Sequence, residues 1–138
     1  MKVKIFTDGG SRGNPGNAGF GVVVLDENNI NIFEGYKNIG VKTNNDAEYS
    51  GLIFGLNWLK ENELQLNIDE AEFNADSELM IKQMQGIYKV KAGNLLVLNK
   101  QAREFINCIK SKITFKAIRR EFNSIADALA NKAMDKKV

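Results

Sequence analysis

The chain opens on an alternation: in Lys2-Val3-Lys4-Ile5-Phe6-Thr7-Asp8 the apolar Val3 and Ile5 are separated by lysine, the period of a strand with one wet face. This strand is expected to end at Asp8, before a glycine-rich stretch that also holds the single proline, Pro15. Two runs rich in β-branched and aromatic residues follow, GFGVVVLDE (19–27) and INIFEGYKNIG (30–40), separated by the turn-forming Asp26-Glu27-Asn28-Asn29. Three antiparallel strands are the natural expectation.

The period then changes. Ala47, Leu52, Ile53, Leu56 and Leu59 recur at helical spacing behind a polar Thr43-Asn44-Asn45-Asp46 start. EAEFNAD (70–76) is short and strand-like and runs straight into the helical SELMIKQMQ, with Asp76 at the junction. An amphipathic helix over Asn94 to Lys110, a fifth strand in ITFKAIR (113–119) and a closing helix in SIADALANKAM (124–134) complete the order. The pattern predicts an α/β fold: a five-stranded mixed sheet, three antiparallel strands and then parallel ones where helices intervene, flanked by helices. No linker, repeat or low-complexity segment interrupts it, and a length of 138 residues fits one domain over 1–138.

Composition narrows the chemistry. Histidine is absent and there is one cysteine, Cys108, which excludes serine-histidine and cysteine-histidine catalysis and an ordinary zinc site. Cys108 falls in a helical pattern and is expected to be a buried thiol with no redox role. With 43% hydrophobic residues, no long apolar run and no signal-like start, the expected setting is the cytoplasm, with no membrane association. A net charge of +2 does not itself announce a nucleic-acid partner, although Lys110, Lys112, Lys116, Arg119 and Arg120 load the last third of the chain. Such a run is ordinarily a solvated face.

Four acids stand at telling positions: Asp8 after the first strand, Glu48 in the first turn of the first helix, Asp76 after the fourth strand, and Asp127 near the start of the last helix. Each has a local explanation. Asp8 fits a turn before Gly9-Gly10, Glu48 a capping box with Asn45, Asp76 a cap for the helix at Ser77, and Asp127 a box with Ser124. Together they match another expectation, because in open α/β sheets the functional crevice lies beyond the carboxyl ends of the parallel strands. If the first and fourth strands are neighbours, the four acids converge, and their mutual repulsion calls for counter-ions. Two divalent cations, Mg²⁺ or Mn²⁺, would resolve the repulsion and suit metal-assisted hydrolysis of a phosphodiester.

TDGGSRGNPGNAGFG (7–21), TNNDAEYSGLIFGL (43–56), NADSELMIKQMQG (74–86) and RREFNSIADALANKAM (119–134) resemble, in order, the four signature blocks of the type 1 ribonuclease H family. The resemblance implies a ribonuclease H-like sheet and an endonuclease that cleaves the RNA strand of an RNA-DNA hybrid, leaving 3′-hydroxyl and 5′-phosphate ends. It implies that Asp8, Glu48, Asp76 and Asp127 are the catalytic metal ligands of a two-ion site, with Glu48 also touching a 2′-hydroxyl. It further implies substrate contacts from the loop Gly9, Gly10, Ser11, Arg12, Gly13 and Asn14 and from Asn44 and Asn45. Glycines allow close backbone approach to RNA sugars, and asparagine amides can donate to and accept from a 2′-hydroxyl.

Two departures from the family pattern stand out. Many members carry a histidine on the loop before the last aspartate, and here the nearest cations are Arg119 and Arg120, of which Arg120 is the better placed to meet phosphate. An arginine can stabilise phosphate charge but stays protonated. The stretch between Asp76 and Asp127 is also too short for the lysine-rich handle of some members, with only Lys82, Lys89 and Lys91 near that position. No obligate protein partner is evident. The competing reading is a non-catalytic hybrid-binding module on the same scaffold, which would have no need of four mutually repelling acids. A phosphate-binding loop is disfavoured because the Lys-Ser/Thr that grips phosphate and Mg²⁺ is missing, and a transposase-like nuclease would need further DNA-binding domains.

Overall fold

The computed structural model describes residues 1–91 and 93–136. Strands β1 (Lys2–Arg12), β2 (Gly16–Asp26), β3 (Asn31–Lys42), β4 (Glu70–Ala75) and β5 (Lys112–Ala117) form one sheet in the order β3-β2-β1-β4-β5. β1, β2 and β3 pair antiparallel, whereas β1–β4 and β4–β5 are parallel. This is the expected mixed sheet, with helices α1 (Asn44–Asn62), α2 (Glu78–Met84), α3 (Asn94–Cys108) and α4 (Ser124–Met134) and a 3-10 turn at Arg120–Phe122 among the described residues.

Burial follows the side-chain patterns. β2 is buried without a break from Ala18 to Val24, as a strand covered on both faces must be. On one face α1 lays Leu52, Leu56 and Leu59 over Val3, Ile5, Phe20, Val22 and Phe73, and α3 backs α1. Each such side chain, once buried, contributes about 2 kcal/mol. On the other face α4 packs against β2, β1 and β3. The approach is close because Gly21 has no side chain: a Cβ there would lie 2.5 Å from the Ala126 carbonyl oxygen.

Two buried polar arrangements hold the first helix. Tyr49 Oη donates to Gln83 Oε1 at 2.6 Å and accepts from Asn99 Nδ2 at 3.2 Å, while Arg103 reaches Asn99 Oδ1 and the Gln83 carbonyl, each at 3.0 Å. This chain locks α1, α2 and α3 into one frame. At the far end, buried Glu63 accepts from Lys110 N, Ser111 N and Ser111 Oγ. Burial pushes the Glu63 carboxyl upward, but these hydrogen bonds and the Lys110 charge outweigh it and carry the group below its ordinary value.

Two expectations are corrected. β1 does not stop at Asp8: it loses its parallel partner after Phe6↔Asn74 but keeps pairing with β2 as far as Arg12↔Asn17. Glycines dilute the strand pattern in the sequence without preventing the ladder. Cys108 is exposed rather than buried, because the apolar stripe of α3 runs through Leu95, Leu98, Ala102 and Ile106 and Cys108, the last residue of the helix, falls beside it.

Candidate active site

The local duties that might have explained the four acids belong to other residues. At α1 the capping box is Thr43 with Asp46: Thr43 Oγ1 accepts from Asp46 N at 3.1 Å and Asp46 Oδ2 from Thr43 N at 3.2 Å. The helix starts two residues earlier than a box at Asn45 requires, so Glu48 lies in its second turn with no part in the cap. Ser77, not Asp76, caps α2. Ser124 is already helical, and the residue before α4, Asn123, donates its amide to the Thr7 carbonyl at 2.9 Å. No Ser124–Asp127 box forms. Asp8 Oδ1 does accept from Gly9 N at 2.9 Å, but within a strand rather than a turn.

Freed of those duties, the acids meet. Asp8, Glu48 and Asp76 each offer an oxygen within 4.8 Å of the other two. Asp127, on α4, adds its charge to that felt by Asp8. All four line one cavity of about 390 Å³, just past the point where the parallel pairing of β1 with β4 ends. Close approach of α1 is what brings Glu48 in: a Cβ on Gly9 would lie 2.4 Å from the Ala47 carbonyl carbon and 2.6 Å from Glu48 N, so only glycine fits.

The cluster is electrostatically unsatisfied. Burial, then the charge of Asp76, then the neighbouring Asp127 push the Asp8 carboxyl up to about 8, against a small opposing effect of the Gly9 N–H. Burial together with Asp8 and Asp76 raises Glu48 well above the carboxylate range. Glu48 Oε1 is fully buried with no hydrogen-bond partner among the described residues. An orphaned buried carboxylate oxygen is costly for folding and gains nothing structurally. Three carboxylates converging on one point form a donor set of hard oxygens, and the residues fit a divalent cation of the Mg²⁺ or Mn²⁺ kind.

The remaining expected residues divide. Gly9, Gly10, Ser11, Arg12, Asn44, Asn45 and Arg120 line the same cavity. Gly13 and Asn14 do not: Gly13 occupies the hairpin turn at φ +92°, and Asn14 lines the adjoining groove beside Asn45, Lys89 and Lys91. Asn14 Oδ1 accepts from Asn44 N, and Asn44 Oδ1 from Ser11 N and Oγ, at 2.9–3.0 Å. Those oxygens therefore knit the hairpin to the start of α1. Arg120 Nη2 stands 3.5 Å from Asp127 Oδ1. Ser77, Asn131 and Met134 also line the cavity and were not anticipated. Of these only Asn131 carried a signal, standing one helical turn after Asp127.

Comparison with known proteins shows the family. A family model described as reverse transcriptase-like matches residues 6–133. The N-terminal RNase H domain of Rv2228c from Mycobacterium tuberculosis is 43% identical, with 98% of this chain and 100% of that one covered and a TM-score of 0.87. The chain belongs to the type 1 ribonuclease H family. RNase H1 of Halobacterium salinarum is 36% identical over 98% of both chains, with a TM-score of 0.87. LC11-RNase H1, solved in complex with an RNA/DNA hybrid, is 42% identical over 96% of both, with a TM-score of 0.91. This ribonuclease H-like chain spans only 36% of the length of the bifunctional mycobacterial protein Rv2228c and 65% of the halobacterial ribonuclease HI. No helix among its described residues is long and apolar enough to cross a membrane.

Proposed function

We propose that this chain is a metal-dependent endoribonuclease that hydrolyses the RNA strand of RNA-DNA hybrids, leaving 3′-hydroxyl and 5′-phosphate ends. The observation that carries the reading is the meeting of Asp8, Glu48 and Asp76 with Asp127 beside them, a buried acidic cluster that the fold does not use for itself. Asp8 and Asp76 would be the central metal ligands, with Glu48 and Asp127 completing two sites. Two bound Mg²⁺ or Mn²⁺ ions would supply charge stabilisation for both the attacking and the leaving oxygen of the phosphodiester.

The chain's own groups do the positioning. The backbone from Gly9 to Arg12 forms one cavity wall with no bulky side chain at Gly9 or Gly10, so ribose can approach closely. The Asn44 oxygen is held by Ser11, which turns its amide N–H groups outward as donors for a sugar hydroxyl. Arg120 places a positive charge at the rim, suited to phosphate but not to shuttling protons.

Incubation of the purified chain with end-labelled RNA-DNA hybrid in Mg²⁺ or Mn²⁺, beside Asp8→Asn and Asp76→Asn, tests the proposal. Cleavage of the RNA strand alone, abolished by both substitutions, is expected. Hybrid binding without cleavage in either metal would make the chain the non-catalytic module, and undiminished cleavage by both variants would remove the carboxylates from the mechanism.

A further inference from the structure

Arg12 lines the cavity, yet its guanidinium is engaged by Asn131 and Asp135 rather than by any of the four acids. Nη2 donates to Asp135 Oδ1 at 2.9 Å and to Asn131 Oδ1 at 3.0 Å, and Nε reaches Asp135 Oδ1 at 3.3 Å. Asn131 is one turn beyond Asp127 on α4. With its oxygen taken by Arg12, its Nδ2 faces the other way, donating to the Asp127 carbonyl at 3.0 Å and standing 3.4 Å from Asp127 Oδ2.

This arrangement decides the sense of an amide. Guanidinium has donors only, so Arg12 can accept nothing and admits only the oxygen end of Asn131. The NH₂ end is then forced toward a carboxylate, which accepts only. Reversal of the amide would set oxygen against oxygen at Asp127 and NH₂ against a cation at Arg12. Fixing Asn131 therefore favours one carboxylate orientation at Asp127.

We propose that Arg12 and Asn131 form a positioning relay that orients the Asp127 carboxylate for metal binding; the inference rests on the reading of Asp127 as a metal ligand. Arg12 then acts on the metal site rather than on the RNA. The relay is separable from the packing of α4. Asn17 Nδ2 donates to the Met134 carbonyl, Asn38 Nδ2 to the Ala133 carbonyl and Asn123 Nδ2 to the Thr7 carbonyl, so both ends of the helix stay fastened without Arg12. The Arg12–Asp135 pair is itself exposed and contributes little to stability.

The test is Mn²⁺ titration calorimetry on the metal-free chain without nucleic acid, together with kcat and KM on a hybrid, for wild type, Asp127→Asn, Asn131→Leu, Arg12→Met and Arg12→Lys. Leucine keeps the helix and the shape while removing the amide. Asn131→Leu should weaken by about 10-fold the ion whose binding Asp127→Asn removes, the size typical of groups that orient a metal ligand. Its KM for hybrid should stay unchanged, and excess Mn²⁺ should recover kcat. Arg12→Met should weaken the same ion, Arg12→Lys should do so less, and Arg12→Met combined with Asn131→Leu should be no worse than Asn131→Leu alone. Wild-type metal binding by Asn131→Leu, or a raised KM with unchanged metal binding in Arg12→Met, would overturn the relay and leave the metal reading of Asp127 intact. Wild-type metal binding by Asp127→Asn would instead overturn that reading, and the relay with it.

Discussion

Replacing Asp8 by asparagine should stabilise the metal-free chain at pH 8. Asp8 is buried, its ordinary value is 3.8, and its surroundings push it to about 8. Below about pH 4 the group is protonated in both folded and unfolded chains, and its burial carries no charge penalty. Between about pH 4 and 8 the unfolded chain releases the proton while the folded chain keeps it, so stability falls throughout that window and levels off above it. At about 1.4 kcal/mol per pH unit, the rise from 3.8 to about 8 sets a ceiling of about 6 kcal/mol.

Asparagine retains the acceptor for Gly9 N and removes a charge that also repels Glu48. Its amide still has to be buried, so a net gain of about 3 kcal/mol, half the ceiling, is the expected value at pH 8. Urea unfolding in EDTA, followed through the buried Trp58, should show wild-type stability declining from pH 4.5 to 8 and the variant declining less. Saturating Mg²⁺ should raise the wild type and leave the variant nearly unmoved, since ligand that binds only the folded state stabilises it. A flat wild-type profile in EDTA, or an asparagine variant weaker than wild type at pH 8, would refute the account of the cluster as electrostatically unsatisfied.

Other substitutions separate scaffold from site. Glu63→Ala should cost about 2–3 kcal/mol in urea unfolding by orphaning Lys110 N and Ser111, with Mn²⁺ binding unchanged. Because the Glu63 carboxyl is lowered in the folded chain, its contribution should be present above its ordinary 4.5 and fade as pH falls through the folded value. Gly9→Ala should cost about 2 kcal/mol or more and abolish Mn²⁺ binding in calorimetry, because its Cβ meets the α1 backbone at 2.4 Å. Lys89→Ala and Lys91→Ala, in the groove next to the carboxylates, should each reduce the salt slope of hybrid binding by about 1 without lowering kcat.

How much of this was legible in the sequence depended on whether the cause was local. Alternation in β1, the unbroken apolar run of β2 and the helical stripe of α1 are set by which face each side chain turns to the core, and all three were readable. The end of β1 was not, because the ladder from Gly9 to Arg12 is held by β2 and by an α1 backbone more than thirty residues away. Cys108 was misplaced for a related reason: apolar spacing locates a stripe only to within a residue or so, and its neighbour Ile109 takes the inward position. For Asn131 the sequence offered only its spacing, one turn after Asp127, since its significance comes from Arg12 across the hairpin.

The four acids show why local readings of a site mislead. Thr43 with Asp46, Ser77 and Asn123 lie within five residues of Glu48, Asp76 and Asp127, and they perform the capping and anchoring that each acid could have been assigned. A carboxylate that capped a helix would have its oxygens engaged by backbone N–H groups and its charge favoured by the helix dipole, leaving little to offer a cation. Placing ordinary capping residues beside the acids leaves Glu48 Oε1 without a partner and Asp8 repelled by Asp76 and Asp127. Helix starts rich in Thr, Asn and Ser are therefore part of the site's construction: they relieve the acids of structural work, and the resulting surplus of buried negative charge is what a divalent cation can relieve.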